Sequence, residues 1–400
     1  MLNNYSKQSA SKRILFMNVV CGIGSTGRIC TELAKEYEKD GYEVKIAYGR
    51  EPVANEARAY AYRIGSNLDM RLHGVMTRLF DKHGLASIGA TRRFIEWANE
   101  FDPDVLWLHN IHGYYINYEL LFDWIKSRPN MEVRWTLHDC WSFTGHCSHY
   151  MMVGCEKWKC EDGETKEPVC NKSVKNCGDC PLKKQYPASL FADNSSDNYR
   201  RKKSAFSGVP QMTIITPSRW LESQVKESFL KDYPTEVHYN RINTEIFKYT
   251  GSDFREKHGL ENKYVILGVA SDWSDKKGLG DFLALRTRLD ESYVIVLVGL
   301  TPKQVSELSN IKGIISLEKT TNATELAKLY SMADLFFNPT HEDNYPTVNL
   351  EAEACDTPVL TYDTGGCRET ISMEQSKVIE PDIDVALESV LDFKESARNS

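Results

Sequence analysis

The chain has 400 residues, of which 41% are apolar and 26% are charged, and its formal net charge is −7. This length is enough for two ordinary domains, and the acidic balance argues against general nucleic-acid binding. No stretch reaches the ~18 uncharged apolar residues that a membrane-spanning helix needs. The polar residues 1–13 lack the apolar core of a signal peptide. We therefore predict a cytoplasmic protein, with peripheral attachment to the cytoplasmic membrane face as an alternative.

Predicted strands and helices alternate through the first part of the chain. The predicted strands are 13–20, 43–48, 104–109, 132–138, 211–216 and 235–239, and the predicted helices are 29–39, 91–100, 118–126, 199–206 and 217–229. Such alternation is typical of a parallel sheet with helices on both faces.

A second alternating series follows the polar segment 243–260, which reads as a linker. Its predicted strands are 264–269, 293–298, 311–317, 335–338 and 358–362, and its predicted helices are 279–289, 302–308, 323–332, one that starts near 346, and 384–393. The predicted domains are 1–248, with a Cys-rich insert at about 145–181, then 249–384, and a C-terminal helix and tail at 385–400. We expect an α/β protein of two doubly wound, Rossmann-like domains that face each other across a cleft, with ligands at the carboxyl ends of the strands.

A glycine motif, Gly22-x-Gly24-x-x-Gly27, follows the first strand and opens a helix. This arrangement matches the dinucleotide-binding fingerprint, but no acidic residue ends the second strand, where Tyr48 is followed by Gly49. A loop that lines the ligand cleft is therefore favoured over a nicotinamide site, and a tight packing turn is the remaining alternative.

Six cysteines lie within residues 147–180, and eleven lie in the whole chain. Cys177-x-x-Cys180 has the spacing of half a zinc site, which Cys147 and Cys155 could complete. We predict either a structural zinc ion held by these four residues or free thiols, because disulfides are rare in cytosolic proteins. A catalytic metal is not expected, since no group of carboxylates accompanies the cluster.

A basic run, Arg200 to Lys203, lies on a predicted helix. Such runs are usually solvated helix faces. The alternative is contact with an anionic membrane surface or with a lipid-diphosphate acceptor.

Residues 339–366 form the most informative stretch. An acidic loop with Glu342 and Asp343 leads to a helix that starts near Pro346 and carries Glu351 one turn inside. The start of a helix offers backbone N–H groups that favour phosphate, and the carboxylates can accept hydrogen bonds from hydroxyl groups. This combination suits a nucleotide diphosphate that carries a sugar. Lys277, which follows another strand and precedes Gly278, can reach a phosphate as well.

The stretch resembles the donor-binding signature of GT-B glycosyltransferases of the retaining family-four, or group 1, type. Asp343 occupies the first acidic position of that signature and Glu351 the second, and Lys277 matches its phosphate-binding Lys. Asp272 stands where the family has Arg, and Asp356 stands where it has Gly. The segment Trp135–Gly145, with the Cys-rich insert after it, resembles the capsular and exopolysaccharide-synthesis subgroup.

The resemblance implies a role for each of these positions. Glu351 would bind the ribose hydroxyls, Asp343 with Glu342 would hold hydroxyls of the transferred sugar, and Lys277 with Lys276 would offset the charge of the diphosphate. The remaining donor-binding positions implied by the resemblance are Gly22, Gly24, Asn344, Tyr345, Thr347 and Val348. The implied catalytic set is His138, Lys277, Asp343 and Glu351, with His138 near the anomeric carbon.

The implied activity is metal-independent transfer of a hexosyl group, with retention, from a nucleotide-diphosphate sugar to a hydroxyl of a glycan or lipid-linked acceptor. Synthesis of a capsule, an exopolysaccharide or an O-antigen is the expected process. Two alternatives remain. A sugar-nucleotide epimerase would convert the donor without any acceptor, and a non-catalytic Cys-rich interaction protein on an inactive scaffold would not bind nucleotide sugars saturably.

Overall fold

The computed structural model describes residues 11–159 and 177–399, and its side chains are described up to residue 397. The described chain forms two compact units. The first runs to Pro217 and includes Leu221–His238, and the second comprises Ser218–Trp220 and the chain from Tyr239 onward. The predicted domain boundary after residue 248 is close to this division, and the assignment of acceptor and donor roles to the two domains stays a prediction.

The first unit is built on a parallel sheet of seven described strands. These are β1 (Arg13–Asn18), β2 (Glu43–Tyr48), β3 (Ala61–Arg63), β4 (Val105–Leu108), β5 (Glu132–Thr136), β6 (Met212–Thr216) and β7 (Thr235–Val237), in the order β3-β2-β1-β4-β5-β6-β7. The helices along this part of the chain are α1 (Gly24–Lys39), α2 (Asn67–Phe80), α3 (Ile88–Phe101), α4 (Tyr118–Lys126), α5 (Ser195–Phe206) and α6 (Arg219–Lys226).

The second unit has a parallel sheet of six described strands. These are β8 (Tyr264–Val269), β9 (Tyr293–Val298), β10 (Ile314–Leu317), β11 (Leu335–Asn338), β12 (Val359–Tyr362) and β13 (Lys377–Ile379), in the order β10-β9-β8-β11-β12-β13. Its helices are α7 (Phe254–His258), α8 (Leu279–Arg286), α9 (Pro302–Leu308), α10 (Ala323–Met332), α11 (Thr347–Ala354) and α12 (Ile383–Asn399).

The apolar runs of the sequence explain why both sheets are parallel and covered. All six residues of β9 are buried, and five of the six in β1 are buried. Continuous apolar runs are typical of parallel strands that helices cover on both faces. The prediction of two Rossmann-like α/β sheets is therefore confirmed.

Several elements differ from the prediction. The helix α2 and the short strands β3 and β13 were not predicted, and the single-turn helix α7 lies inside the predicted linker 243–260. The strand predicted to begin at Ile311 begins at Ile314, because Gly313 adopts a left-handed turn with φ +83°. Among the described residues, no helix combines the length and the apolar character needed to cross a bilayer.

Candidate functional site

The second sheet has a topological switch point between β8 and β11. From β8 the chain adds β9 and β10 on one side, and from β11 it adds β12 and β13 on the other, so the strand order reverses between the paired strands β8 and β11. Ligands of doubly wound sheets bind at such a point, outside the carboxyl ends of the strands. The loop after β8 carries Lys277, and the loop after β11 carries Asp343. The topology therefore brings the two predicted phosphate- and sugar-binding loops to one place.

Gly278 allows these two loops to touch. It adopts φ +72°, and a Cβ atom on it would lie 2.2 Å from the carbonyl oxygen of Pro339. The backbone N–H of His341 donates to the carbonyl of Lys276 at 2.8 Å, which ties the loops together. A side chain at position 278 would separate them.

Lys277 and Asp343 form an ion pair across this junction. Both side chains are partly exposed, at 26% and 22% of their areas. The other carboxylate oxygen of Asp343 accepts the backbone N–H of Tyr345 at 3.2 Å. Tyr345 is one of the donor-binding positions that the resemblance implied. Its N–H thus has an internal partner in this structure.

Gly365 and Gly366, at the end of the stretch 339–366, pack against the backbone of the acidic loop. The N–H of Gly366 donates to the Asp343 carbonyl at 3.0 Å. A Cβ atom at Gly365 would lie 1.9 Å from that carbonyl oxygen, and one at Gly366 would lie 2.0 Å from the carbonyl oxygen of Asn344. Both glycines are therefore required for close backbone contact with the loop.

The helix α11 begins without a side-chain cap. Pro346 stands at its N-cap and has no side-chain group that could accept a hydrogen bond from the first N–H groups, such as those of Thr347 and Val348. Helix starts of this kind favour an anion. The buried amide of Asn349 fixes the helix, because it accepts from the Asn338 side chain and donates to the Thr370 hydroxyl, each at 2.8 Å.

Glu351 lies one turn into α11 and is held by a buried phenol. The Tyr330 hydroxyl donates to Oε2 of Glu351 at 3.0 Å. Tyr330 is fully buried on α10, and Glu351 is half-buried. This bond orients the carboxylate, and neither the spacing nor the motif of the sequence pointed to Tyr330.

The two adjacent acids of the loop differ in exposure. Glu342 and the neighbouring Asn344 are buried, whereas Asp343 is partly exposed. Of the predicted sugar-binding groups in this loop, Asp343 is therefore the one most open to solvent.

A second ion pair, which the sequence analysis also missed, supports the loop. Nε2 of His341 lies 3.0 Å from Oδ2 of Asp281, and the Tyr362 hydroxyl donates to the other oxygen of Asp281 at 2.8 Å. The hydrogen bond to Asp281 raises the pKa of His341 above 6.5. A signal was available, because His341 lies three residues after the end of a predicted strand.

The two departures from the family signature have different outcomes. Asp356 adopts φ +65° just after α11, so it takes the left-handed conformation that Gly supplies in the family. Asp272 is exposed in the loop after β8. Asp272 adds no cation to this loop, and Lys276 beside Lys277 is half-buried.

The first sheet has its own switch point, between β1 and β4. The predicted glycine loop follows β1, where Gly22 has φ +75° and Gly24 has φ +64°. A Cβ atom on Gly22 would lie 2.6 Å from that of Ala54, but nothing lies within 4 Å of the position of a Cβ atom on Gly24. Gly22 is thus needed for packing, and Gly24 borders open space at the start of α1.

The predicted His138 lies near two further histidines, His109 and His112, at the ends of β4 and β5. Nδ1 of His109 lies 2.9 Å from Nε2 of His138, and Nε2 of His112 lies 2.9 Å from Oδ2 of Asp139. Burial lowers the pKa of His138 to about 4 and that of His109 well below 6.5. His138 is therefore a neutral ring at pH 7, held by hydrogen bonding to a second histidine.

A known protein family matches most of the second unit. Residues 252–396, which contain Lys277, Asp343 and Glu351, match the family described as glycosyl transferases group 1. This part of the chain is a group 1 glycosyltransferase domain. Members of this family, also called family four, use nucleotide-sugar donors.

Relatives of this glycosyltransferase cover nearly its whole length. WcaC of Escherichia coli (strain K12), assigned by its name to colanic acid biosynthesis, is 22% identical over 387 residues, which are 92% of this chain and 87% of that protein. The sucrose-phosphate synthase of Thermosynechococcus elongatus has a TM-score of 0.66 at 15% identity, covering 96% of this chain and 90% of its own. Anabaena HepE, solved with UDP-glucose, has a TM-score of 0.59 at 14% identity, with coverages of 96% and 90%. These likenesses establish the GT-B fold.

The cysteines of this glycosyltransferase come together, but not as a metal site. Cys147, Cys155, Cys177 and Cys180 line one small cavity. Within the two described ranges, however, no group of three or more His, Cys, Asp or Glu side chains is placed to hold a metal ion. The predicted structural zinc is therefore not supported there, and Cys160 and Cys170 of the insert lie outside the described residues.

Several of the side chains that line that cavity form bonds with other protein groups. A hydrogen bond from the Cys147 thiol lowers the pKa of Cys180 to about 7, and the Gly145 N–H donates to Cys177 Sγ at 3.3 Å. The neighbouring His146 forms a buried ion pair of 2.6 Å with Asp81.

Half of the basic run is engaged in bonds within the first unit. Lys202 is 1% exposed, and its ammonium group donates to the carbonyls of Trp141 and Thr144 at 2.6 and 3.0 Å. Arg201 makes two bonds, of 2.8 and 2.7 Å, to the carboxylate of Glu119. Two of the four charges are thus used internally, and membrane contact through this run stays a prediction.

Proposed function

We propose that this enzyme transfers a hexosyl group, with retention of anomeric configuration, from a nucleotide-diphosphate sugar to a hydroxyl of a glycan or lipid-linked acceptor in polysaccharide synthesis. Capsule, exopolysaccharide or O-antigen is the class of product. The name of the Escherichia coli relative and the resemblance of the segment Trp135–Gly145 support the process.

One observation carries the proposal. At the switch point of the second sheet, Lys277 and Asp343 pair, and the uncapped helix α11 that follows carries Glu351. A cation, a helix start and oriented carboxylates are the groups that a sugar diphosphate requires.

In the proposed donor complex, Glu351, held by Tyr330, accepts hydrogen bonds from the ribose hydroxyls. Lys277, with Lys276, offsets the charge of the diphosphate at the start of α11, where the Thr347 and Val348 N–H groups add donors. Asp343 holds hydroxyls of the transferred sugar, with Glu342 and Asn344 behind it. The bound UDP-glucose of the Anabaena protein makes UDP the first nucleotide to test.

The reaction needs no protein nucleophile in this proposal. The bond between the anomeric carbon and the diphosphate oxygen breaks, and a bond to the acceptor oxygen forms on the same face. The proton of the acceptor hydroxyl passes to the departing diphosphate. Lys277 stabilises the charge that develops there, which is the largest help a protein can give this step. His138 and the loop of Gly22 and Gly24 are proposed to contact the transferred sugar.

The test compares Glu351→Gln and Lys277→Met with matched controls. We expect Glu351→Gln to weaken UDP binding about tenfold in calorimetry, because charged hydrogen bonds are lost. We expect Lys277→Met to lower the transfer rate about 10²-fold. The controls are Glu353→Gln, on the same helix but bonded to the Ser372 and Met373 N–H groups, and Lys312→Met, an 82% exposed lysine.

Both controls are expected to leave UDP affinity and transfer unchanged, although Glu353→Gln lowers the melting temperature. Unchanged binding and transfer in both site variants would refute the site. Conversion of the donor sugar without an acceptor would instead indicate an epimerase, and absence of saturable UDP binding would indicate an inactive scaffold.

A further inference from the structure

One histidine lies in the acidic loop of the proposed donor site. The backbone N–H of His341 donates to the Lys276 carbonyl at 2.8 Å, and the Thr340 hydroxyl donates to the same carbonyl at 3.3 Å. His341 is two residues before Asp343, so the Cα atoms of the two residues lie within about 7 Å of each other. The ring of His341 is therefore attached close to the ion pair that Asp343 forms with Lys277.

A carboxylate and a phenol fix the orientation of this ring. Nε2 of His341 lies 3.0 Å from Oδ2 of Asp281, and the buried Tyr362 hydroxyl donates to Oδ1 of Asp281 at 2.8 Å. A carboxylate only accepts hydrogen bonds, so the proton of this bond is on Nε2. Within the described part of the chain, Nδ1 of His341 has no hydrogen-bond partner, and the side chain is 28% exposed. The ring is thus held by one nitrogen, and the other is available to a ligand.

The two loops at this switch point contain fewer lysines than acids. Residues 270–278 and 339–346 carry two lysines, Lys276 and Lys277, and four acids. Lys277 already pairs with Asp343. A diphosphate that joins a nucleoside to a sugar carries two negative charges, which the acids of these loops repel. A further cationic hydrogen-bond donor would stabilise such a ligand, and His341 is the remaining basic side chain of the two loops.

We propose that His341 donates a hydrogen bond from Nδ1 to the diphosphate of the nucleotide sugar, at the phosphate group next to the sugar. This inference rests on the proposed function, because it assumes that the diphosphate binds between Lys277 and the start of α11. The choice of phosphate follows from the chain, since Asp343, two residues later, is the proposed partner of the sugar hydroxyls. Hydrogen bonds from a charged donor to a phosphate are stronger than neutral ones. Asp281 is a positioning residue, because it acts through the imidazole that it orients.

The pKa of His341 determines the pH range of this contact. The hydrogen bond to Asp281 raises the pKa of His341 above 6.5, and the charges of Asp281 and Glu342 act in the same direction, against partial burial. A bound diphosphate adds negative charge and raises the pKa of His341 further. The contact is therefore present below the pKa of His341 in the complex and is lost as the pH rises through it. The titratable groups on the elements that contact His341 are Asp281 of α8, Tyr362 of β12, Glu342 and Asp343 of its own loop, and Asp272, Asp275, Lys276 and Lys277 of the loop after β8.

The first experiment replaces His341 in the full-length protein and measures UDP binding by calorimetry at about pH 6.5, where the imidazolium form is populated. His341→Gln keeps an N–H group at the position of Nε2 for the bond to Asp281, but it removes Nδ1 and the positive charge. We expect it to weaken UDP binding about tenfold, because one charged hydrogen bond is lost. His341→Arg supplies a permanent charge with several N–H donors, and we expect it to bind UDP within about threefold of the wild type.

The matched control is His238→Gln. It removes an exposed histidine that pairs with Glu236 at 2.9 Å, and it is expected to bind UDP as the wild type does. Circular dichroism verifies that each variant is folded.

Two further measurements separate a ligand contact from a structural role. UMP lacks the phosphate group that His341 is proposed to bind, so we expect His341→Gln to leave UMP binding nearly unchanged. The ratio of wild-type to His341→Gln affinity for UDP is expected to fall from about tenfold at about pH 6 to about twofold or less at about pH 9, because His341 loses its proton. Titration of UDP itself largely cancels in this ratio, since both proteins bind the same nucleotide.

A change at Asp281 tests the positioning of the ring. Asp281→Asn keeps an oxygen acceptor for Nε2 of His341 but removes the negative charge that raises the pKa of the ring. We expect UDP affinity to begin its fall at a pH about one unit lower than in the wild type, with binding below that pH retained. A purely structural role would instead lower the affinity equally at every pH.

The outcomes separate this proposal from the proposed function. UDP binding that His341→Gln leaves unchanged at every pH, while Glu351→Gln weakens it, would overturn the role of His341 alone. Equal loss of UDP and UMP binding in His341→Gln, without rescue by His341→Arg, would assign His341 a structural role instead. Unchanged UDP binding in both His341→Gln and Glu351→Gln would refute the donor site and this inference together, as would the absence of UDP binding in the wild type.

Discussion

The two switch points of this molecule share a topology but differ in their chemistry. At the second sheet, Lys277 and Asp343 are charged and partly exposed. At the first sheet, the buried His109 lies against the partly buried His138, and desolvation lowers the pKa of both rings. The second arrangement suits a ligand that brings its own charge. The first suits the placement of a neutral ring that can form a hydrogen bond with a carbohydrate hydroxyl.

A substitution at His138 gives the largest effect that would test this contrast. We expect His138→Gln to lower kcat about 10²-fold while UDP affinity stays unchanged, because the ring is proposed to contact the sugar and not the nucleotide. Calorimetry with UDP and initial rates of transfer measure the two quantities. A loss of UDP affinity equal to that of Glu351→Gln would remove the distinction between the two switch points.

Gly278 at the second switch point and Gly24 at the first differ in how closely the surrounding backbone packs against them. Gly278→Ala is expected to lower the free energy of unfolding by about 3 kcal/mol, because its Cβ atom meets the Pro339 carbonyl and its φ is positive. Gly24→Ala, where the space is open, is expected to cost only about 1 kcal/mol from its positive φ. Urea unfolding measures both. Gly280→Ala, which meets nothing within 4 Å in α8, is the control and is expected to be neutral or stabilising.

A smaller effect concerns the pH dependence of the second unit. The pKa of His341 is raised above 6.5 by its bond to Asp281, so the pair stabilises the folded state fully below 6.5. That contribution is lost as the pH rises through the folded pKa. Between about pH 6 and about pH 8, the melting temperature of the wild type is therefore expected to fall more than that of His341→Gln. Parallel curves for the two proteins would contradict this assignment.

Most of the fold followed from the sequence because parallel strands are continuous apolar runs. The helix α2 was missed although Ser66 and Asp69 form a capping box and Leu68, Leu72, Val75 and Leu79 have helical spacing. As the sequence motif predicted, Lys277 and Asp343 lie in segments that follow strands, and Glu351 lies on a helix.

The supporting groups were beyond prediction for a physical reason. Tyr330 and Asp281 are far along the chain from the residues they hold, and only the packing of α10 and α8 brings them near Glu351 and His341. Cysteine spacing suggested zinc, but spacing does not reveal that His146 pairs with Asp81.

The pairing of Lys277 with Asp343 has a consequence for the order of recognition. A diphosphate that attracts the ammonium group must compete with the carboxylate, and its success releases that carboxylate to accept from an alcohol. Nucleotide capture and carbohydrate selection are then linked by an exchange of partners. On this account, a free monosaccharide binds weakly until a diphosphate occupies Lys277, because only then is the Asp343 carboxylate available to its hydroxyls.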